Sequence, residues 1–261
     1  MTEFHTATLR HEYSDVCVMV YNEFVPVSVL SPEGRFKAVA VKDERVLKKC
    51  SPYFETCEMP TAPTKLQQSS LQEELSGCRI CADRFAVTAS QHQPRPVVWF
   101  DRKPRILIAG QAPGMRVHAS GKPFTDRSGD RLRYWLGLDE AVFYNRAQVA
   151  IVPMAFCFPG YDAKGADLPP PPICGQTWHA RVMDELGDPA LTILVGGYAH
   201  RWHLGKQEGV TETVRHWRDL APRVFPLPHP SWRNTGWLKK NPWFAADLLP
   251  DLRVAVKDAL T

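Results

Sequence analysis

Four short stretches of this chain are apolar at nearly every position: Ile106–Ala109, Val149–Val152, Leu191–Val195 and Val224–Leu227. A strand buried on both faces reads this way, whereas a half-exposed strand alternates polar and apolar residues. Between and after them lie stretches compatible with helix: Ser128–Leu136, Gln176–Leu186, Tyr198–Leu204 and a closing Pro242–Leu260. Strand–helix alternation predicts an α/β fold. Its centre is a four-stranded parallel sheet with right-handed crossovers, covered on both faces as a three-layer α/β/α architecture. Ligands of such sheets bind where the C-terminal ends of strands meet their loops. Those loops are Gly110–Phe124, Pro153–Cys174, Gly196–Gly197 and Pro228–Trp237, and they hold most of the chemically unusual residues. No internal repeat is present.

The alternation begins near Leu71, which predicts one α/β domain over residues 71–261 and an extension over 1–70. In the extension, Phe24–Leu30 and Phe36–Val41 are β-rich runs separated by Ser31-Pro32-Glu33-Gly34, good turn chemistry for a hairpin. Thr61–Ser70 is rich in Pro, Thr, Gln and Ser and reads as a linker. The extension carries no motif for chemistry, and Cys50 and Cys57 read as unpaired thiols.

Composition narrows the class. With 44% apolar and 23% charged residues the chain is an ordinary globular sequence, which excludes wholesale disorder and fibrous repeats. No apolar run approaches the roughly 18 residues of a membrane span. The 23 prolines suggest stiff, shaped loops. A net charge of +4 permits nucleic-acid binding without requiring it, so the placement of charge matters more than its sum. Met1–Arg10 is polar and lacks the apolar stretch of a secretory signal, so an intracellular, cytoplasmic protein is expected. In that reducing setting clustered thiols read as metal ligands or buried side chains before disulfides.

Three loops and one cysteine set carry candidate chemistry. Gly110-Gln111-Ala112-Pro113-Gly114 follows the first strand. Its glycines and proline make either an ordinary turn or a loop whose N–H groups meet an anion. In Gly121-Lys122-Pro123-Phe124-Thr125-Asp126, Phe124 is either a stacking platform for a base or a loop aromatic folded into the core. Ser128 is placed to cap the next helix, and Arg127, Arg131 and Arg133 read better as a solvated face than as phosphate contacts. After the fourth strand, Pro228-His229-Pro230-Ser231 immobilises a histidine between two prolines. Residues 229–241 then carry Arg233, Lys239 and Lys240 without an acidic residue, interleaved with Trp232 and Trp237. That pattern suits gripping a phosphate backbone and wedging a base stack, or a Trp-rich packing corner. Finally, Cys78-x2-Cys81 with Cys157 and Cys174 makes four thiolates, enough for a tetrahedral zinc or a 4Fe-4S cluster.

Together and in this order, these elements resemble the uracil-DNA glycosylase superfamily, and specifically its iron–sulfur branch (family 4 and its relatives), over about residues 75–261. The resemblance implies a glycosylase-like α/β/α domain that acts on DNA as a monomer. It implies hydrolysis of the N-glycosidic bond of uracil, or another deaminated base, flipped out of the helix. Gly110–Gly114 resembles the family's first motif, which makes Gly110 and Ala112 base-binding. Phe124 resembles the residue that stacks on the flipped base. His229-Pro230-Ser231 resembles the motif whose His serves the leaving group, with Ser231 helping to orient the base. Cys78, Cys81, Cys157 and Cys174 resemble the four cluster ligands. Trp232, Arg233, Lys239 and Lys240 are then DNA contacts.

Two positions depart from the pattern. The branch usually has Glu where this chain has Gln111, and Asn where it has Pro153. Gln111 cannot act as a general base, so water orientation falls to Gln111 as a hydrogen-bonding group or to Asp126. Pro153 has no amide to read a uracil edge. These departures favour, as the alternative, a damaged-DNA binding module of the same fold with weak or absent catalysis. A nucleotide hydrolase using the same loops lacks both a carboxylate cluster and a Gly-x4-Gly-Lys loop.

Overall fold

The computed structural model describes residues 5–9, 16–20, 26–30, 36–40, 70–205 and 208–261. The chain divides into two units, Met1–Gln67 and Gln68–Thr261. The first contains two antiparallel pairs. Strand β1 (His5–Leu9) pairs with β2 (Val16–Val20), and β3 (Pro26–Leu30) pairs with β4 (Phe36–Ala40) in the register Leu30↔Phe36. The second pair occupies the expected hairpin runs. The Ser31–Gly34 turn, the thiols Cys50 and Cys57 and most of the expected linker lie outside the described residues. The first pair was not read from the sequence, although Val16–Val20 is a β-favouring run.

The second unit is built on β5 (Ile106–Gly110), β6 (Val149–Pro153), β7 (Leu191–Val195) and β8 (Val224–Leu227). They form one parallel sheet in the order β6-β5-β7-β8. Every residue of β5 is buried, as the unbroken apolar run requires. Alternate side chains serve opposite faces. Ile106 and Ile108, with Ile151, Ile193 and Phe225, pack against Leu132, Trp135, Leu252 and Val256 from helices Arg127–Leu136 and Leu249–Leu260. Leu107, Ala150 and Val152 pack on the other side against Trp178, Val182 and Leu186 of helix Pro172–Leu186. Ala109 and Leu194 meet Ala199 of helix Gly197–Leu204. This is the three-layer α/β/α fold. Each fully buried Ile or Leu contributes about 1.5–3 kcal/mol, so the sheet is held from both sides.

Local differences from the sequence reading have local causes. Pro153 and Pro226 lie inside strands, yet β6 and β8 are the two edges, where a missing ladder donor is tolerated. Ser70, read as linker, caps helix Leu71–Ser76 in a reciprocal box with Glu73. The closing stretch is not one regular helix. Phe244–Leu248 is a π-type turn leading into Leu249–Leu260. Pro250 has no N–H for the carbonyl four residues earlier and its ring would crowd that carbonyl, so the widened turn relieves both conflicts. The short helices Met115–Ser120, Glu140–Phe143, Val210–Arg215 and Thr235–Lys240 were not anticipated. Among the described residues, no helix is long and apolar enough to cross a membrane.

Candidate active site

The loops at the C-terminal end of the sheet are tied to one another. β5 ends in Gly110, beside Pro153 at the end of β6. Beyond them Met154 N–H donates to Gly110 C=O (2.9 Å) and Ala155 N–H to Gln111 C=O (3.1 Å), so the start of the first loop is stitched to its neighbour. Pro153 C=O lies 3.0 Å from Nε2 of the fully buried His179. Among the described residues the N–H groups of Gln111 and Ala112 engage no protein acceptor, and both residues are half-buried. They are available to a ligand.

Phe124 stands over the end of β5. A Cβ on Gly110 would lie 3.9 Å from its Cζ, so the edge of the ring reaches to van der Waals contact of position 110. Its backbone is unusual, with φ of +54° in a residue that is not glycine. Such a conformation is disfavoured by local sterics and persists only when its surroundings hold it. Here they do. Phe124 C=O accepts from Tyr144 Oη (3.0 Å) and Arg133 Nη1 (3.3 Å), and Tyr144 Oη also reaches Pro123 C=O at 2.8 Å. The ring meets Phe143 edge-on. Gly129 closes the clamp from the helix side, since any Cβ there would sit 1.8 Å from Phe124 O.

Two helix assignments change accordingly. Asp126, not Ser128, caps the helix, with Oδ1 accepting from the N–H groups of Ser128 and Gly129 (3.1 and 3.2 Å). Arg131 and Arg133 are not a solvated face. Arg133 holds Phe124, and Arg131 donates to Ser231 C=O (2.9 Å) and Thr235 Oγ1 (3.3 Å). The helix that follows the Phe124 loop is thereby pinned to the His229 loop.

His229 stands over the end of β7. Gly196, the residue after that strand, has φ of +85°, and a Cβ on it would lie 3.6 Å from His229 Cβ. Because β5 and β7 are hydrogen-bonded neighbours, Phe124 and His229 sit over adjacent strand ends, on strands about 4.8 Å apart. Ser231 N–H donates to His229 Nδ1 (3.2 Å), and Asn234 Nδ2 donates to His229 C=O (2.7 Å). A nitrogen that accepts an N–H carries no proton, so the neutral ring bears its proton on Nε2. Burial lowers the His229 pKa below the ordinary histidine value, while the Asp126 carboxylate opposes that shift. At neutral pH the ring is an uncharged Nε2–H donor. Ser231 Oγ caps the next turn by accepting from Arg233 N–H (3.3 Å).

The basic-aromatic segment divides by exposure. Trp232 is 68% exposed and carries the Arg233 guanidinium over its ring at 5.9 Å, while Lys239 and Lys240 are exposed on helix Thr235–Lys240. Trp237 is a packing residue instead, donating Nε1–H to Thr211 Oγ1 (2.8 Å) and meeting Trp243 and Phe244 edge-on. An acidic neighbour absent from the sequence reading is Asp167, in the loop after β6. Burial raises its pKa, the Arg233 charge opposes that, and the Asp126 charge adds to it.

The four cysteines gather elsewhere, beside β6. Cys78 and Cys81 flank the short turn between helices Leu71–Ser76 and Ala82–Ala86, Cys157 follows β6, and Cys174 opens helix Pro172–Leu186. All four are free thiols that line one pocket, walled by Phe85, Pro94 and Trp178. Phe156 N–H donates to Cys174 Sγ (3.4 Å), and Cys157 receives the Arg95 backbone N–H. Burial, together with the neighbouring cysteines, pushes the Cys157 thiol up to about 12 and that of Cys174 to about 11. Four sulfurs in an apolar pocket, two bonded by N–H groups, are soft donors of the chemical kind that zinc or an iron–sulfur cluster takes. Among the described residues no group of three or more His, Cys, Asp or Glu is arranged to hold a metal ion.

The loops, the clamp on Phe124 and the mounted histidine all fall in one continuous segment of sequence. The model of the family described as the Uracil DNA glycosylase superfamily matches residues 97–253, from just before β5 into the last helix and over more than half the chain. The protein belongs to the uracil DNA glycosylase superfamily.

Proposed function

We propose that the protein is a DNA glycosylase that hydrolyses the N-glycosidic bond of uracil or another deaminated base. The observation that carries this reading is the placement of Phe124 and His229 over adjacent strand ends, each resting on a glycine. An enzyme that acts on a base must take it out of the stack. In this reading Arg233, Lys239 and Lys240 hold phosphates and exposed Trp232 enters the gap left by the base. The flipped base stacks on Phe124 and meets the loop bearing Gly110 and Ala112. As the C1′–N bond lengthens, negative charge develops on the base. Neutral His229 donates Nε2–H toward its carbonyl oxygen, and the free N–H groups of Gln111 and Ala112 add donors. Water then attacks the sugar cation. Its oxygen bonds to C1′, the base leaves with the bonding pair, and one water proton passes to solvent. The Gln111 side chain, or the Asp126 oxygen opposite the one that caps the helix, orients that water. The protein acts as a monomer.

Cys78, Cys81, Cys157 and Cys174 would hold a 4Fe-4S cluster. When bound, that group supplies cross-linking and charge neutralisation for four thiolates. The residues themselves join the segment before β5 to the loop after β6. Anaerobic purification tests this directly. A coloured protein containing iron and sulfide supports the cluster, and a colourless one containing zinc replaces it with the tetrahedral alternative.

The test of the activity is single-turnover cleavage of oligonucleotides containing uracil, hypoxanthine or xanthine, with His229→Ala as control. Gln111 and Pro153 favour the second reading, a lesion-binding module. Tight binding without abasic product on all three substrates would establish it.

A further inference from the structure

A second cavity, of about 330 Å³, opens between helices Arg127–Leu136, Thr235–Lys240 and Leu249–Leu260. It is separate from the cysteine pocket, and nothing in the excision chemistry uses it. Its lining is amphipathic. Trp135, Leu238, Phe244 and Leu249 make an apolar wall, and Arg131 and Arg253 bring two cations. No acidic residue lines it, and among the described residues neither arginine has a carboxylate partner within ion-pair distance. Arg131 spends two N–H groups on Ser231 and Thr235, and Arg253 two on the carbonyls of Trp135 and Tyr134 (3.2 and 2.8 Å). A guanidinium has five N–H donors, so each keeps three. Arg253 is further held over the Tyr134 ring at 5.1 Å. Both guanidinia are therefore fixed in place before any ligand arrives.

A third polar group points to the kind of ligand. Asn241 is only 7% exposed and lines the cavity. Its Nδ2 donates to Trp237 C=O (2.9 Å), while its Oδ1 accepts from no group among the described residues. A side-chain carbonyl without a protein donor, beside an apolar wall and two preset cations, suits a flat group with an N–H edge, joined to an anion. The cavity size suits one small ligand of that type.

We propose that this cavity binds a nucleoside monophosphate unit, with the phosphate between Arg131 and Arg253 and the base against the Leu238–Phe244–Leu249 wall, within reach of Asn241. The unit comes either from a DNA strand running past helix Thr235–Lys240 or from a free nucleotide. The chemistry of recognition is the same for both.

The experiment is calorimetric titration of the full-length protein with deoxyadenosine monophosphate, deoxyadenosine and inorganic phosphate. Two variants accompany it. Arg253→Gln removes one cation, and Ala245→Phe fills the cavity from an exposed position without touching either arginine. Saturable binding of the monophosphate is expected, with deoxyadenosine and phosphate each weaker by about tenfold or more. Arg253→Gln should also weaken it by about tenfold or more, since a charge-assisted hydrogen bond is lost, and Ala245→Phe by about as much, since its ring takes the space of the base. If Arg253→Gln fails to fold, Ala245→Phe decides alone. Competition by a short lesion-free oligonucleotide assigns the site to a DNA strand, and lack of competition assigns it to free nucleotide. Both uphold the site. No saturable binding, phosphate binding as tightly as the monophosphate, or equal affinity in both variants overturns it. So does loss of binding in His229→Ala alone, which would put the nucleotide in the excision pocket. The glycosylase reading stands or falls separately, on abasic product.

Discussion

Replacing Gly129 with Ala should reverse the usual sign of a glycine-to-alanine change in a helix. Gly129 lies in the first turn of Arg127–Leu136, where Ala is ordinarily better by about 1 kcal/mol. Here a Cβ would meet Phe124 O at 1.8 Å, Phe124 C at 2.6 Å and Phe124 Cβ at 2.8 Å. The first two are backbone atoms and cannot rotate away. That backbone is also held by Tyr144 and Arg133 and sits at φ of +54°. The two segments must part by more than about 1 Å, and overpacking of this kind costs about 1–3 kcal/mol. For a unit of this size the melting temperature should fall by roughly 2–10 °C. The Phe124 ring moves with its backbone, and a 1 Å misplacement at a reacting centre costs about a hundredfold in rate. Differential scanning fluorimetry reads the first effect, and single-turnover excision from a uracil oligonucleotide reads the second. A Gly129→Ala protein that melts higher than the parent and excises at the parent rate would refute the clamp.

Other outcomes follow from the same geometry. His229→Ala should lose about two to three orders of magnitude in single-turnover rate while melting within a few degrees of the parent, as expected for one preorganised donor. Lowering the pH should destabilise the fold. Burial holds His179, His200 and His229 below their unfolded value of 6.5, and His203 down to about 4, so the native state resists protons that the unfolded chain accepts. The loss begins as pH falls below about 6.5, and His203 continues it to about pH 4; replacing His203 with Gln should flatten the melting-temperature profile across that window. The proposed cluster implies that Cys174→Ala abolishes iron incorporation and lowers the melting temperature, measured by iron assay and thermal unfolding. A variant retaining the full iron content would remove Cys174 from the ligand set.

The parallel strands were legible because burial on both faces leaves no polar position in them. All four were located to within a residue. The short helices were not, since pieces of about one and a half turns carry too little periodicity to stand out. Loop chemistry was legible where proline and glycine restrict the backbone, as around His229 and Gly110. The supports of that chemistry were not. Tyr144 and Arg133 bond the Phe124 carbonyl from 20 and 9 residues away, and Arg131 reaches Ser231 across 100. One signal is present in the sequence, the isolated Gly129 at the third position of a helix, where a glycine costs about 1 kcal/mol against alanine and so points to a packing reason.

Sequence alone determined the α/β class, the four strands and the loops bearing the candidate residues, because the burial pattern and backbone stiffness of a segment are properties of its own residues. Tertiary structure decided which residues support the site: Asp126 as the cap, Arg133 and Gly129 as the clamp, Trp237 as packing, and a second cavity between three helices. Those roles depend on which groups become neighbours when distant segments fold together, and a linear pattern carries no term for contacts made at long separation.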